Sequence, residues 1–161
     1  KTGGFERIHL TMEQKLMPEY YQSRQGKEFT EWLVKLCETR RKLIVDTFDQ
    51  DDKKEMFLEK HKIPKASVRF RISDSHGCIV DEILKSNIDV TILMTGGDTL
   101  MGYMKKIGCT QIEPLCEIEQ GIVASNIICH DHTVQVISKS GGFGTEDVMC
   151  IIAEKVIRKE S

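Results

Sequence analysis

The sequence IDVTILMTGGDT, at residues 88–99, joins a short apolar run to a pair of glycines. Residues 88–94 are typical of a buried strand, and residues 100–106 are predicted to be helical. Glycine lets a phosphate approach the backbone, and the free amides of a first helical turn favour negative charge. This order of strand, glycine turn and helix therefore predicts an anion-binding loop.

A second loop of the same kind, KSGGFG, lies at residues 139–144, between a predicted strand at 134–138 and a predicted helix at 145–158. Its consecutive amides can form a nest around phosphate oxygens, and Lys139 or Ser140 can add a further donor. Because each loop follows a predicted strand, we expect both loops to lie at carboxyl ends of strands, where ligands of α/β domains collect, and this favours binding. The P-loop and the G-x-G-x-x-G fingerprint are absent, so neither mechanism is predicted.

Asp98 lies inside the first loop, where its carboxylate would repel a bound phosphate. A cation between the two groups removes that repulsion, so Asp98 is assigned to Mg²⁺ or to a metal-bound water. Aspartate is also a good helix N-cap, and capping of the following helix is the alternative role.

The rest of the chain supplies the elements of an α/β domain. An amphipathic helix is predicted at residues 26–41, with Trp32 on its buried face. A charged helix is predicted at residues 49–62. The other predictions are strands at 5–10, 43–45, 112–119 and 122–129 and a helix at 67–84. The order predicts a three-layer α/β/α domain with a mixed, largely parallel sheet, whose last strands are antiparallel, in one unit over residues 1–161.

Composition excludes several function classes. The formal net charge is −2 without a basic stripe, so nucleic acid is not an expected partner. The apolar runs are well under the roughly 20 residues that a membrane helix needs, and no secretory signal opens the chain. We therefore expect a cytoplasmic protein with no membrane partner. The six cysteines form no C-x-x-C pair and are expected to be reduced packing residues.

Three other clusters have weaker patterns. The run Cys129-His130-Asp131-His132 contains metal ligands, but neighbours on a strand point to opposite faces, so a polar turn is the favoured interpretation. The aspartates at 49, 51 and 52 mimic a calcium loop, but lysines occupy later ligand positions. Glu117 and Glu119 share a strand face, which leaves both a carboxylate pair and solvated edge residues open.

Three motifs together resemble a known family: TGGDT at residues 95–99, Glu117 with Gly121, and KSGGFG at 139–144. In order and spacing they are similar to the carboxyl-terminal nucleotide-binding domain of the four-carbon acid sugar kinases, which include threonate and erythronate kinases. The likeness covers most of the chain from Phe5 onward.

The resemblance implies a kinase that phosphorylates a hydroxyl of a four-carbon sugar acid with ATP. The acid would be held by a separate amino-terminal domain, which is missing from this chain, so the chain alone is expected to be inactive. The residues assigned to ATP are Gly96, Gly97, Asp98, Thr99, Ser140, Gly141, Gly142 and Gly144. The catalytic residues and a homodimeric state remain open.

Two rival functions use the same loops. A non-catalytic nucleotide-binding or sensing module would hold ATP without phosphoryl transfer, and a sugar-phosphate enzyme would hold the phosphate of its substrate there. Nucleotide binding separates the sugar-phosphate enzyme from the kinase and the sensing module. A kinase assay then separates the kinase from the sensing module.

Overall fold

The computed structural model describes residues 4–40, 42–48, 53–129, 132–145 and 147–159. Within this part of the chain there are six strands and six α-helices, as expected of an α/β domain. In chain order they are β1 (Glu6–His9), α1 (Met12–Leu16), α2 (Arg24–Thr39), β2 (Leu43–Asp46), α3 (Lys53–Lys60), α4 (Val68–Lys85), β3 (Ile92–Thr95), α5 (Gly97–Lys106), β4 (Glu113–Glu119), β5 (Ile122–Cys129), β6 (His132–Lys139) and α6 (Val148–Lys159). Short 3₁₀ helices, Pro18–Gln22 and Lys65–Ser67, precede α2 and α4.

The α/β class and a mixed sheet are confirmed, but the strands form two sheets with fewer parallel pairs than predicted. β1 and β2 are a parallel pair, and the larger sheet has the order β3-β6-β5-β4. Only β3 and β6 are parallel in the larger sheet, because the connections from β4 to β5 and from β5 to β6 are too short for a parallel crossover.

The four-stranded sheet is the middle of three layers, as the sequence predicts. Side chains alternate between its faces, so each face contributes to a separate core. One core, shared with α4 and α5, contains Leu84, Met94, Tyr103, Ile127 and Val136. The other core, shared with α6, contains Ile122, Ala124, Ile137, Val148 and Ile152.

The helices α4 and α5 pack unusually closely at Gly102. A Cβ atom on Gly102 would overlap the Ser73 hydroxyl and lie 2.8 Å from the Ser73 backbone carbon. On the same face of α4, a Cβ atom on Gly77 would lie 3.0 Å from the carbonyl oxygen of Gly102. Residues without bulky side chains therefore fix the distance between the two helices.

In the amino-terminal part, Thr11 caps α1 through a capping box with Gln14. The prediction that Trp32 belongs to the core is wrong, because its side chain is 45% exposed and the neighbouring Leu33 is the fully buried residue. The Trp32 ring instead lies against the Phe29 ring, with 5.8 Å between their centroids.

Among the described residues, no helix is long and apolar enough to cross a membrane.

Candidate functional site

The two glycine loops lie side by side. β3 and β6 are parallel neighbours, and their last residues, Thr95 and Lys139, are register partners. The Gly96 amide, the first after β3, donates a hydrogen bond to the Lys139 carbonyl at 3.0 Å. The expectation that both loops lie at the carboxyl edge of the sheet is therefore confirmed.

The first loop ends in the amino terminus of α5, and Gly96 occupies the N-cap position. Gly96 has φ +89°, a backbone conformation that other residues rarely adopt, and no side chain caps the helix. Its carbonyl accepts hydrogen bonds from the amides of Thr99 at 3.2 Å and Leu100 at 3.4 Å. The amides of Gly97 and Asp98 belong to the first turn, which has no carbonyl behind it.

The alternative role of Asp98 as the N-cap is wrong, since Asp98 lies in the first turn of α5 and not before it. Its carboxylate is more than half exposed and lies 3.9 Å from Nη1 of Arg69, at the beginning of α4. The Ser73 hydroxyl donates a hydrogen bond to the Asp98 carbonyl. A carboxylate at this position complements the positive end of the helix dipole and is accessible to a cation.

Arg69 is a charged residue beside the first loop that the sequence analysis did not identify. It lies 29 positions before Asp98, outside all three motifs, and nothing in its neighbourhood indicates a ligand. The signal that identifies it is the packing of α4 on α5, which becomes visible only in three dimensions.

The second loop is attached to the turn between β4 and β5. The Ser140 amide donates to the Gly121 carbonyl at 3.0 Å, and the Phe143 amide donates to the Ser140 carbonyl at 3.2 Å, which closes a turn. The Lys139 ammonium group contacts the carbonyls of Ser140 at 3.1 Å and Gly141 at 3.4 Å. Lys139 thus binds its own loop in this structure, although the sequence suggests it as a phosphate donor.

Glu117 and Gly121 shape this turn. An oxygen of the Glu117 carboxylate accepts a hydrogen bond from the Gly121 amide at 2.9 Å. Gly121 has φ +72°, and a Cβ atom there would lie 2.6 Å from the Phe143 ring, so only glycine fits beneath Phe143. Glu119 is separated from Glu117 by a register shift and pairs with Lys155 of α6. The two carboxylates have separate partners in this structure, which gives no support to a catalytic carboxylate pair.

The remaining assigned glycines differ in the space around them. A Cβ atom on Gly97, Gly141 or Gly142 would meet no atom of the described residues within 4 Å. On Gly144 it would lie 2.9 Å from the Val148 side chain at the start of α6. The open glycines therefore border empty space in front of the loops, whereas Gly144 is enclosed by the helix that follows.

The other metal hypotheses gain no support. No group of three or more histidine, cysteine, aspartate or glutamate side chains able to hold a metal occurs among the residues that the structure describes. His130 and Asp131 of the 129–132 run lie outside the described residues, as do the three aspartates at 49, 51 and 52. The assignment of Asp98 to Mg²⁺ is the metal hypothesis that concerns a described residue of the first loop.

The fold and the loops define an α/β domain with backbone amides gathered at one edge of its sheet. The model of the family described as "nucleotide-binding C-terminal domain" matches residues 7–149, which is most of the chain. The chain belongs to this family. No curated protein matches the sequence.

Three solved structures share the fold at low sequence identity. A Salmonella typhimurium LT2 protein described as a putative tRNA synthase has a TM-score of 0.63 at 15% identity and is matched by 94% of this chain. A Haemophilus influenzae protein of family-model DUF1537 has a TM-score of 0.61 at 18% identity, with 92% of this chain covered. A Bordetella bronchiseptica DUF1537 protein, a domain-swapped dimer with bound citrate, has a TM-score of 0.59 at 16% identity, with 94% covered.

The chain spans 34% of the length of each of these three proteins. Together with the family model, they confirm the resemblance to the carboxyl-terminal domain of the four-carbon acid sugar kinase family.

Proposed function

We propose that this chain is the ATP-binding domain of a four-carbon acid sugar kinase, which transfers the γ-phosphoryl group of ATP to a hydroxyl of an acid such as threonate or erythronate. The observation that carries the proposal is the pairing of Thr95 with Lys139, because it places the two glycine loops side by side at the ends of neighbouring strands. A single strand-end loop is a common connection, whereas two joined by the hydrogen bond from the Gly96 amide to the Lys139 carbonyl form one surface.

The loops fit a chain of phosphates by their chemistry and by the room in front of them. The first-turn amides of α5 and the Gly141 and Gly142 amides of the second loop are neutral donors, whereas the Ser140 and Phe143 amides already donate to carbonyls; the glycines at 97, 141 and 142 leave the approach open. The residues proposed to bind ATP are Gly96, Gly97, Asp98, Thr99, Ser140, Gly141, Gly142 and Gly144. Mg²⁺ bound with ATP offsets phosphate charge, and Asp98 is the proposed contact for this ion or its water.

The acid and the group that activates its hydroxyl are assigned to parts of the protein outside this chain. The chain covers about a third of its solved relatives, and phosphoryl transfer needs both reactants in line. Because the Bordetella relative is a domain-swapped dimer, a homodimer is the assembly to test first.

Calorimetry with Mg-ATP, Mg-ADP and a sugar phosphate tests the nucleotide assignment. We expect both nucleotides to bind at or below millimolar concentration and the sugar phosphate not to bind. A protein that ignores both nucleotides contradicts the proposal. A coupled ADP-release assay with four-carbon acids, on a form of the protein that includes the acid-binding part, distinguishes a kinase from a nucleotide sensor.

Two substitutions test the loops themselves, Gly97→Val and Gly141→Val. Neither glycine has a positive φ, and the added Cβ atom meets no neighbour in the part of the chain that the structure describes, so both variants should fold while their side chains fill the space proposed for phosphate. We expect Mg-ATP binding to be abolished in both. Ala66→Val, at an exposed position in the 3₁₀ helix Lys65–Ser67, is the control for added bulk and should bind like the unmodified chain. Unchanged affinity in both loop variants refutes the assignment.

A further inference from the structure

Arg69 holds a positive charge beside the first glycine loop. Its Nη1 atom lies 3.9 Å from Oδ2 of Asp98, and the two side chains are 67% and 57% exposed. Its Cζ atom lies 4.6 Å from the centre of the Phe70 ring, a cation–π contact that steadies the guanidinium group. At 3.9 Å the contact with Asp98 is an ion pair but not a hydrogen bond, so the five N–H donors are not consumed by it.

The packing of α4 on α5 fixes this position. Arg69 lies one helical turn before Ser73, whose hydroxyl donates to the Asp98 carbonyl. The absence of a side chain on Gly102 lets the backbone of α5 approach Ser73 directly. The beginning of α4 and the first loop are therefore held together by contacts that do not involve the Arg69 side chain, and Arg69 can change partners without disturbing them.

The other cations near the loops are less suited to a phosphate. The Lys139 ammonium contacts two carbonyls of its own loop. Lys105 and Lys106 lie in the last turn of α5, about 12 Å along the helix axis from Gly97. Arg69 is at the correct end of α5, and a planar guanidinium can pair two donors with phosphate oxygens.

We propose that Arg69 binds the terminal phosphates of the nucleotide and offsets the negative charge that Asp98 brings to the loop. The inference rests on the proposed function, because the ligand is the nucleotide assigned to the two loops. Arg69 stays beside Asp98 and directs its remaining N–H groups to the β- and γ-phosphate oxygens. Asp98 thereby contacts two cations, Arg69 and the Mg²⁺ that accompanies ATP.

Calorimetry of Arg69→Ala, Arg69→Lys and the unmodified chain with Mg-ATP, Mg-ADP and AMP tests this role. We expect Arg69→Ala to weaken Mg-ATP binding about tenfold or more, because a charge-assisted hydrogen bond is lost, and to leave AMP binding within twofold. Arg69→Lys should lie between, since it keeps the charge without the fork of donors. Arg24→Ala removes another exposed arginine that pairs with a carboxylate, Glu28 on α2, and should bind like the unmodified chain.

A double-mutant cycle with Asp98→Asn separates direct contact from charge compensation. If Arg69 binds phosphate, Arg69→Ala still weakens Mg-ATP binding severalfold when residue 98 is neutral. If Arg69 only neutralises Asp98, the effect disappears in that background and the proposal is overturned.

The other outcomes are equally distinct. A chain that binds Mg-ATP with the same affinity before and after Arg69→Ala overturns the role of Arg69 alone and leaves the proposed function standing. An equal loss for AMP and ATP also overturns it, because that result points away from the terminal phosphates. An unmodified chain that binds no nucleotide overturns both proposals.

Discussion

Alanine at Gly96 and at Gly97 should change stability in opposite directions, although the two glycines are adjacent. Gly96 has φ +89° and ψ 133°, a backbone conformation that costs an L residue about 1–3 kcal/mol. Gly97 lies in the first turn of α5 without positive φ, and an added Cβ atom meets no described residue within 4 Å. Alanine there only reduces the freedom of the unfolded chain, which stabilises the fold by about 0.4–1 kcal/mol.

Thermal and urea unfolding of the two variants measure these differences. For a domain of this length, one kcal/mol moves Tm by about 2–4 °C, so Gly96→Ala should lower Tm by several degrees and Gly97→Ala should raise it by roughly 1–4 °C. The urea midpoints should move in the same directions with unchanged slopes. A Gly96→Ala variant as stable as the unmodified chain would refute the left-handed conformation of Gly96, and a destabilised Gly97→Ala would refute the open space beside Gly97.

Two further predictions concern the contact of α5 with α4 and a buried residue of α4. Gly102→Ala should destabilise the fold by about 1–3 kcal/mol, because its Cβ atom overlaps the Ser73 hydroxyl, and a urea midpoint equal to that of the unmodified chain contradicts this packing. Burial lowers the pKa of His76, and its ring nitrogens have no hydrogen-bond partner among the described residues. As the pH falls below about 6.5, His76 is therefore protonated in the unfolded chain before it is protonated in the folded one. The free energy of unfolding should therefore fall between pH 7 and pH 5, and it should fall less steeply in His76→Gln. Denaturant titrations at several pH values measure this dependence. If the free energy of unfolding changes equally with pH in both proteins, His76 is not the cause.

Local signals were sufficient to predict the two loops. An apolar run, a glycine turn and a helical pattern each depend on residues close in sequence, and they identified both strand-to-helix connections. The boundaries were less accurate: β3 begins at Ile92 rather than at residue 88, and α6 begins at Val148 rather than at residue 145. Val90 packs against the core without belonging to the strand, so its apolar character reports burial and not strand pairing.

Features that depend on distant residues could not be predicted. The separation of β1 and β2 from the larger sheet is a matter of which strands become neighbours, and the apolar pattern of a strand does not specify its neighbour. The exposure of Trp32 depends on which part of the face of α2 is covered by other elements. Arg69 was missed for the same reason, because its role depends on the close contact of α4 with α5 at Gly102.

The motif of Glu117 and Gly121 illustrates how a sequence signal can be specific without marking a ligand contact. The Glu117 carboxylate accepts from the Gly121 amide, and the Gly121 carbonyl accepts from the Ser140 amide. Gly121 also makes room for the Phe143 ring. The turn therefore supports the second loop from behind, while the Gly96 amide ties the first loop to the same strand end. Each motif thus shapes the next, and the open space beside Gly97 and Gly141 lies on the side of the two loops where the nucleotide is proposed to bind.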